Sequence, residues 1–183
     1  MDEWNYVEFI CEGEEIKLLY NIIKKLDEEE LKTIEENQDE LWLGNVIYYI
    51  SGFKLNIIGF VIDYKLYDNH LSITIDAPGA TWITFKYLLE KKYQSLKIYY
   101  LLQNDCLLNY STNDIDNKYF KGDYILVLDY EPKVYSSLDD IAKVIKEKFD
   151  VEVEPTEESI LEVSRNIPDK QCIFSKVKKV NDE

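Results

Sequence analysis

Arginine is almost absent from this chain. Of its 21 basic residues twenty are lysines, and Arg165 is the one arginine. The planar guanidinium fork is the side chain best fitted to phosphate and guanine, so its scarcity, with a net charge of −15 and a pI near 4.5, argues against direct nucleic-acid binding. Histidine is equally scarce: His70 stands alone. Cys11, Cys106 and Cys172 are far apart and form no Cys-x-x-Cys pair, so four scattered thiol and imidazole groups offer neither a structural zinc site nor a Cys-His nucleophile. Buried or idle thiols in a reducing compartment are the expectation. Six glycines fall in no phosphate-cradling pattern, and no Gly-x-Ser-x-Gly elbow occurs. The sequence therefore offers no catalytic set and implies no cofactor. No run of about 18 apolar residues is present, and Met1-Asp2-Glu3-Trp4 is acidic where a secretory signal is basic, so no membrane partner and a cytoplasmic location are expected.

What is present is enough for a folded core. The 183 residues are 46% hydrophobic with only six Gly and four Pro, which excludes disordered and disulfide-scaffold classes. Trp4 to Cys11 alternates as a strand, with Val7, Phe9 and Cys11 on one face. After Gly13, Ile16, Leu19, Tyr20, Ile23 and Leu26 form a helical stripe. Asp27 with Glu30 resembles a capping box, which predicts a short second helix carrying Leu31 and Ile34. The sets Ile58, Phe60, Ile62, Tyr64, Leu66 and Leu71, Ile73, Ile75, Ala77 each alternate and flank Asp68-Asn69, the pattern of a hairpin.

Pro78-Gly79 then leads into a helix carrying Trp82, Phe85, Leu88 and Leu89, and Leu96 to Leu102 reads as a strand. Cys106 to Tyr110 and Tyr124 to Tyr130 read as two further strands. Ser137 and Thr156 cap two later helices, the first on Leu138, Ile141, Ala142, Ile145 and Phe149 and the second on Ile160, Leu161, Ser164 and Ile167, with Pro168 as its stop. The path is β-α-β-β-α-β with helices on one face of an antiparallel sheet, extended by a C-terminal strand and helices. A single elaborated α+β domain is expected, with a core over about 4–103, an extension over about 104–169 and a basic tail over 170–183.

Three tracts carry a family likeness: the opening strand from Trp4-Asn5-Tyr6-Val7 to Gly13, Trp42-Leu43-Gly44-Asn45, and the corner Asp76-Ala77-Pro78-Gly79-Ala80-Thr81-Trp82 followed by Leu96-Lys97-Ile98-Tyr99-Tyr100. In them the chain resembles the YubB ferredoxin-like proteins of bacteria, their plasmids and phages, over roughly residues 4–125. Trp82 here follows Pro78, where the family pattern places its Trp before the prolines. The resemblance implies a ferredoxin-like fold and, by association, a counter-defence role; it supplies no catalytic residues, and the fold itself hosts many functions.

Two polar constellations remain. Asn104, Asp105, Asn109, Asn113, Asp114, Asp116 and Asn117 crowd predicted turns, and loop oxygens suit Mg²⁺ or Ca²⁺, so Asp105, Asp114 and Asp116 are the ligands of an alternative, metal-dependent enzyme reading. Lys118 at the fifth position and the lack of a following Gly break the EF-hand pattern, and Asn and Asp favour turns on local grounds. Tyr99 and Tyr100 with Tyr64 and Tyr67 suggest a stacking platform, yet without the basic surround that RNA binding needs. The acidity is uneven. Residues 1–40 hold fourteen acids against four lysines, and residues 123–169 thirteen against five bases. Such runs solubilise, and they also steer association with a basic surface. The expected function is a non-enzymatic protein-binding module, an inhibitor or nucleic-acid mimic, whose partner is a basic nucleic-acid-handling protein met through Glu28, Glu29, Glu30, Glu35, Glu36, Asp39 and Glu40; a housekeeping interaction domain is the blander version.

Overall fold

A computed structural model describes residues 4–35, 39–104, 109–129, 131–167 and 172–181. The protein is α+β, with eight strands and five helices among the described residues. It divides into two compact units, Met1–Cys106 and Leu107–Glu183.

The first unit runs β1 (Trp4–Glu12), α1 (Ile16–Asp27), α2 (Leu43–Ser51), β2 (Phe60–Leu66), β3 (Leu71–Pro78), α3 (Gly79–Lys92) and β4 (Lys97–Asn104). Its strands lie in the order β2-β3-β1-β4, and every neighbouring pair is antiparallel. The alternation in β1 decides which face is covered. Val7, Phe9 and Cys11 are fully buried, and they join one cluster with Leu19, Ile23 and Leu26 of α1, Leu43, Val46 and Ile47 of α2, and Trp82, Phe85 and Leu89 of α3. The Phe9 ring lies 5.1 Å from Trp82 and 5.9 Å edge-on from Phe85. All three helices thus cover the face that Val7, Phe9 and Cys11 present.

Two sequence expectations need correction here. No helix occurs among the described residues between 28 and 40. Glu29 turns left-handed at φ 57°, and back-bonds from the Glu29 N–H to Leu26 O and from the Leu31 N–H to Lys25 O close α1 instead. The second helix is α2, whose buried Leu43, Val46, Ile47 and Ile50 fall at helical spacing, with Gly44 and Asn45 buried beside them. The face assigned to Ile58, Phe60, Ile62 and Tyr64 is also broken. A bulge between Val61 and Asp63 moves the register from Val61↔Ile75 to Asp63↔Thr74. One extra residue reverses the facing, so Val61 is buried and Ile62 is 54% exposed.

The second unit holds β5 (Asn109–Thr112), β6 (Tyr124–Leu128), β7 (Glu131–Tyr135), α4 (Leu138–Phe149), α5 (Glu157–Asn166) and β8 (Cys172–Lys179). Its order is β5-β8-β6-β7, with β5 and β8 parallel and the other pairs antiparallel. Leu126, Cys172 and Phe174 pack under Ile141, Ile145 and Ile160. Ser137 and Thr156 accept N–H bonds from Asp139 and Ser159, the two caps expected of them. Lys176, Lys178 and Lys179, read as a tail, lie on β8 between two neighbours. β7 carries Pro132, which an edge strand tolerates. Pro168 lies outside the described residues.

Candidate functional site

The described residues of the acidic stretch, 28–35 and 39–41, lie between α1 and α2 and form no helix face. Side chains of α2 tie the stretch to that helix, Asn45 foremost. Asn45 is completely buried; its Oδ1 accepts the Ile34 N–H at 3.0 Å, and its Nδ2 donates to Asp39 O at 2.9 Å and Glu40 O at 3.2 Å. The neighbouring tract completes the anchor. The Trp42 indole donates to Ile57 O at 2.6 Å and lies across Gly44, where a Cβ would come within 2.3 Å of the ring. Only glycine fits beneath that ring. The Tyr49 hydroxyl donates to Lys32 O at 2.8 Å, and the Leu41 N–H to Asp39 Oδ1 at 2.9 Å. A buried amide makes these bonds because leaving its polar atoms unpaired is costly.

The acids themselves are placed as follows. Glu28, Glu29, Glu30 and Asp39 are exposed, and Glu35 and Glu40 are half-buried. Glu28 lies 3.6 Å from Lys24, and Glu35 lies 3.2 Å from Lys54. Glu36 lies outside the described residues. Glu28 to Glu30 therefore crown the C-terminal end of α1, while Asp39 and Glu40 are held at the foot of α2 by Asn45. The sequence singled out the acids and missed Asn45 as their anchor, although the Trp-Leu-Gly-Asn tract was already visible.

The Asn/Asp-rich loop of the second unit is organised by its own chain. Asp114 is 1% exposed; its Oδ1 accepts the Lys118 N–H at 2.9 Å, and its Oδ2 accepts those of Tyr119 at 2.7 Å and Phe120 at 2.9 Å. The Lys179 ammonium of β8 donates to Asp114 O at 3.1 Å and to Asn117 Oδ1, with Asp123 Oδ1 at 3.5 Å. A lysine thus sits among oxygens that a cation would otherwise attract. Asp116 is exposed, and Asp105 lies outside the described residues. Among the described residues, no group of three or more His, Cys, Asp or Glu side chains is arranged to hold a metal.

The aromatics do not form one platform. Tyr99 and Tyr100, adjacent on β4, point to opposite faces; Tyr100 is buried with its ring edge-on to Trp82 at 5.5 Å. Tyr64 leans on Tyr20 and donates to Asp27 Oδ2 at 2.6 Å, and both burial and that bond push its hydroxyl pKa up. Tyr67 stacks on His70 at 4.4 Å. Cys11 and Cys172 are free and buried, with burial pushing Cys172 up to about 11, so neither is poised as a thiolate. On the helix-free face of the first sheet, Tyr6 stands opposite Asp76 and Glu8 opposite Thr74. Glu8 and Asp76 are diagonal neighbours there, and burial raises both carboxyl pKa values. Compared with protein-family models, curated proteins and solved structures, the chain matches none. No helix of the described residues is long and apolar enough to cross a membrane.

Proposed function

We propose that this protein is a non-enzymatic binding module that presents the Glu28–Glu40 loop to a basic surface of another protein. The observation that carries this reading is Asn45: a fully buried amide spends all three of its hydrogen bonds on the main chain of the acidic loop. A charge array that only solubilises needs no fixed backbone. One that must match a partner gains from being held, because less ordering entropy is lost on binding. We further propose that the first unit is an elaborated ferredoxin-like module of the kind the YubB resemblance implies. The antiparallel order β2-β3-β1-β4 supports that reading, with α2 as the elaboration. Inhibition of a nucleic-acid-handling protein, by occupying its basic groove, is the narrower form of the proposal.

The test is comparative capture from native cell extract, at low and moderate salt, with the wild type and a variant carrying Glu28, Glu29, Glu30, Glu35, Glu36, Asp39 and Glu40 as Gln or Asn. The expected result is a basic protein retained by the wild type, released by salt and lost from the variant. With the purified pair, the variant should associate more slowly and with a weaker salt dependence. Identical capture by both proteins refutes the reading.

A further inference from the structure

We infer that the outer edge of β2 is a self-association surface, and that its occupant is the same edge of a second copy of this chain. β2 ends the strand order of its unit, so among the described residues no named strand pairs with its outer side. The hairpin sets which residues turn outward. The Tyr67 N–H donates to His70 O at 2.8 Å, and the register continues through Lys65↔Ser72 and Asp63↔Thr74. Antiparallel pairs alternate between bonded and non-bonded, so Asp63 and Lys65 spend their main-chain groups on β3, while Tyr64 and Leu66 aim theirs outward. The start of the edge is occupied, since the Val61 N–H donates to Leu41 O at 2.9 Å and Trp42 bridges Phe60. Beyond the bulge, no strand among the described residues pairs with the outer side.

Charge identifies the occupant. A two-fold antiparallel pairing must set outward-facing residues against outward-facing residues, which leaves dyads at Asp63, Tyr64 or Lys65. A dyad at Asp63 opposes two carboxylates, and one at Lys65 opposes two ammonium groups. The dyad at Tyr64 alone sets Asp63 against Lys65 twice over. Asp63 and Lys65 are both exposed on one face of the strand, and in a non-bonded pair the facing Cα atoms are about 4.5 Å apart, near enough for their charges to meet. A bulge and charged residues normally protect an edge from other chains. The order of charges here repels most strands and complements its own, so the same residues deter foreign pairing and specify the self-pairing.

The full chain is examined by sedimentation and light scattering from about 10 µM to about 1 mM in about 150 mM salt. Dimer is expected in the wild type. D63K and K65D, each of which sets like charges together, should raise the dissociation constant by at least about tenfold. The double variant D63K/K65D regenerates both pairs in reversed order and should restore the dimer. Circular dichroism of each variant checks that folding is intact. A monomer at every concentration, a dimer that ignores both single reversals, or a double variant no better than the singles overturns the inference.

Discussion

Asn45→Ala is the substitution that bears most directly on the acidic loop. It deletes one acceptor and one two-bond donor from a site that is completely buried, and orphans the Ile34 N–H and the Asp39 and Glu40 carbonyls. A net contribution of about 1 kcal/mol per neutral hydrogen bond gives about 3 kcal/mol if the loop stays in place. Glu40 and Ile34 are half-buried and Asp39 is exposed, so water can recover part of that, and about 2 kcal/mol is the expected local loss. Native-state hydrogen exchange reads it directly. The Ile34 amide should exchange roughly 30-fold faster, while the amide of Phe9, in the paired strand β1, should change much less. A glutamate-specific protease should cut within Glu28–Glu40 sooner in the variant. Exchange at Ile34 within about threefold of wild type, with unchanged proteolysis, would mean that the loop is held by something other than Asn45, and the preorganisation argument would fail.

Asp114→Asn keeps the shape of the side chain but cannot accept at both oxygens, so it keeps either the Lys118 N–H or the Tyr119 and Phe120 pair. The expected loss is about 2 kcal/mol in the urea transition of the second unit, followed through amides of β6 and β8; a loss below about 0.5 kcal/mol would show that the carboxylate is not what orders the loop. Glu8→Gln tests the helix-free face. Burial raises the Glu8 pKa, so the folded state keeps its proton at a pH where the unfolded chain has released it. Its contribution to stability is greatest in acid and falls as pH rises from the ordinary carboxylate value through the raised one. The Gln variant should therefore be the more stable protein at pH 7, with the difference vanishing in acid. Equal stability at pH 7 would remove the desolvation argument.

The elements most legible in sequence are those whose apolar residues recur at one period. β1, α1, β3 and α4 set apolar against polar residues in this way, α3 shows through Trp82, Phe85 and Leu89 although Ile83 and Tyr87 between them are exposed, and Ser137 and Thr156 mark their helices by chemistry that needs no tertiary context. The failures have separate causes. α2 does carry Leu43, Val46, Ile47 and Ile50 at helical spacing, but it is only nine residues long and holds Gly44 and Asn45, both poor helix formers. In β2 a single added residue at the bulge inverts the facing, and no local pattern encodes an insertion relative to a partner strand. β8 lies inside the strand order, and its buried residues Cys172, Phe174 and Val177 change phase between 174 and 177 among lysines, so no single alternation marks it. Long aliphatic stems let such lysines run along a sheet and reach its rim, as Lys179 does on reaching Asp114 and Asn117.

The same contrast separates what the charges say from what the fold says. Fourteen acids in the first forty residues drew attention to Glu28–Glu40, but composition is blind to whether a carboxylate sits on a fixed or a drifting backbone. That information lies in residues that are not acidic. A polar Asn45 within Leu43-Gly44-Asn45-Val46-Ile47 is a misfit in a buried helix unless its amide is fully paired, and the partners it finds are main-chain groups of the loop. Gly44 has the same logic, since its missing side chain is the space the Trp42 ring fills. A buried amide facing a charged loop therefore says more about that loop than its charge count does: the count sets the sign of any partner, and the amide sets whether the carboxylates can be met in a defined arrangement.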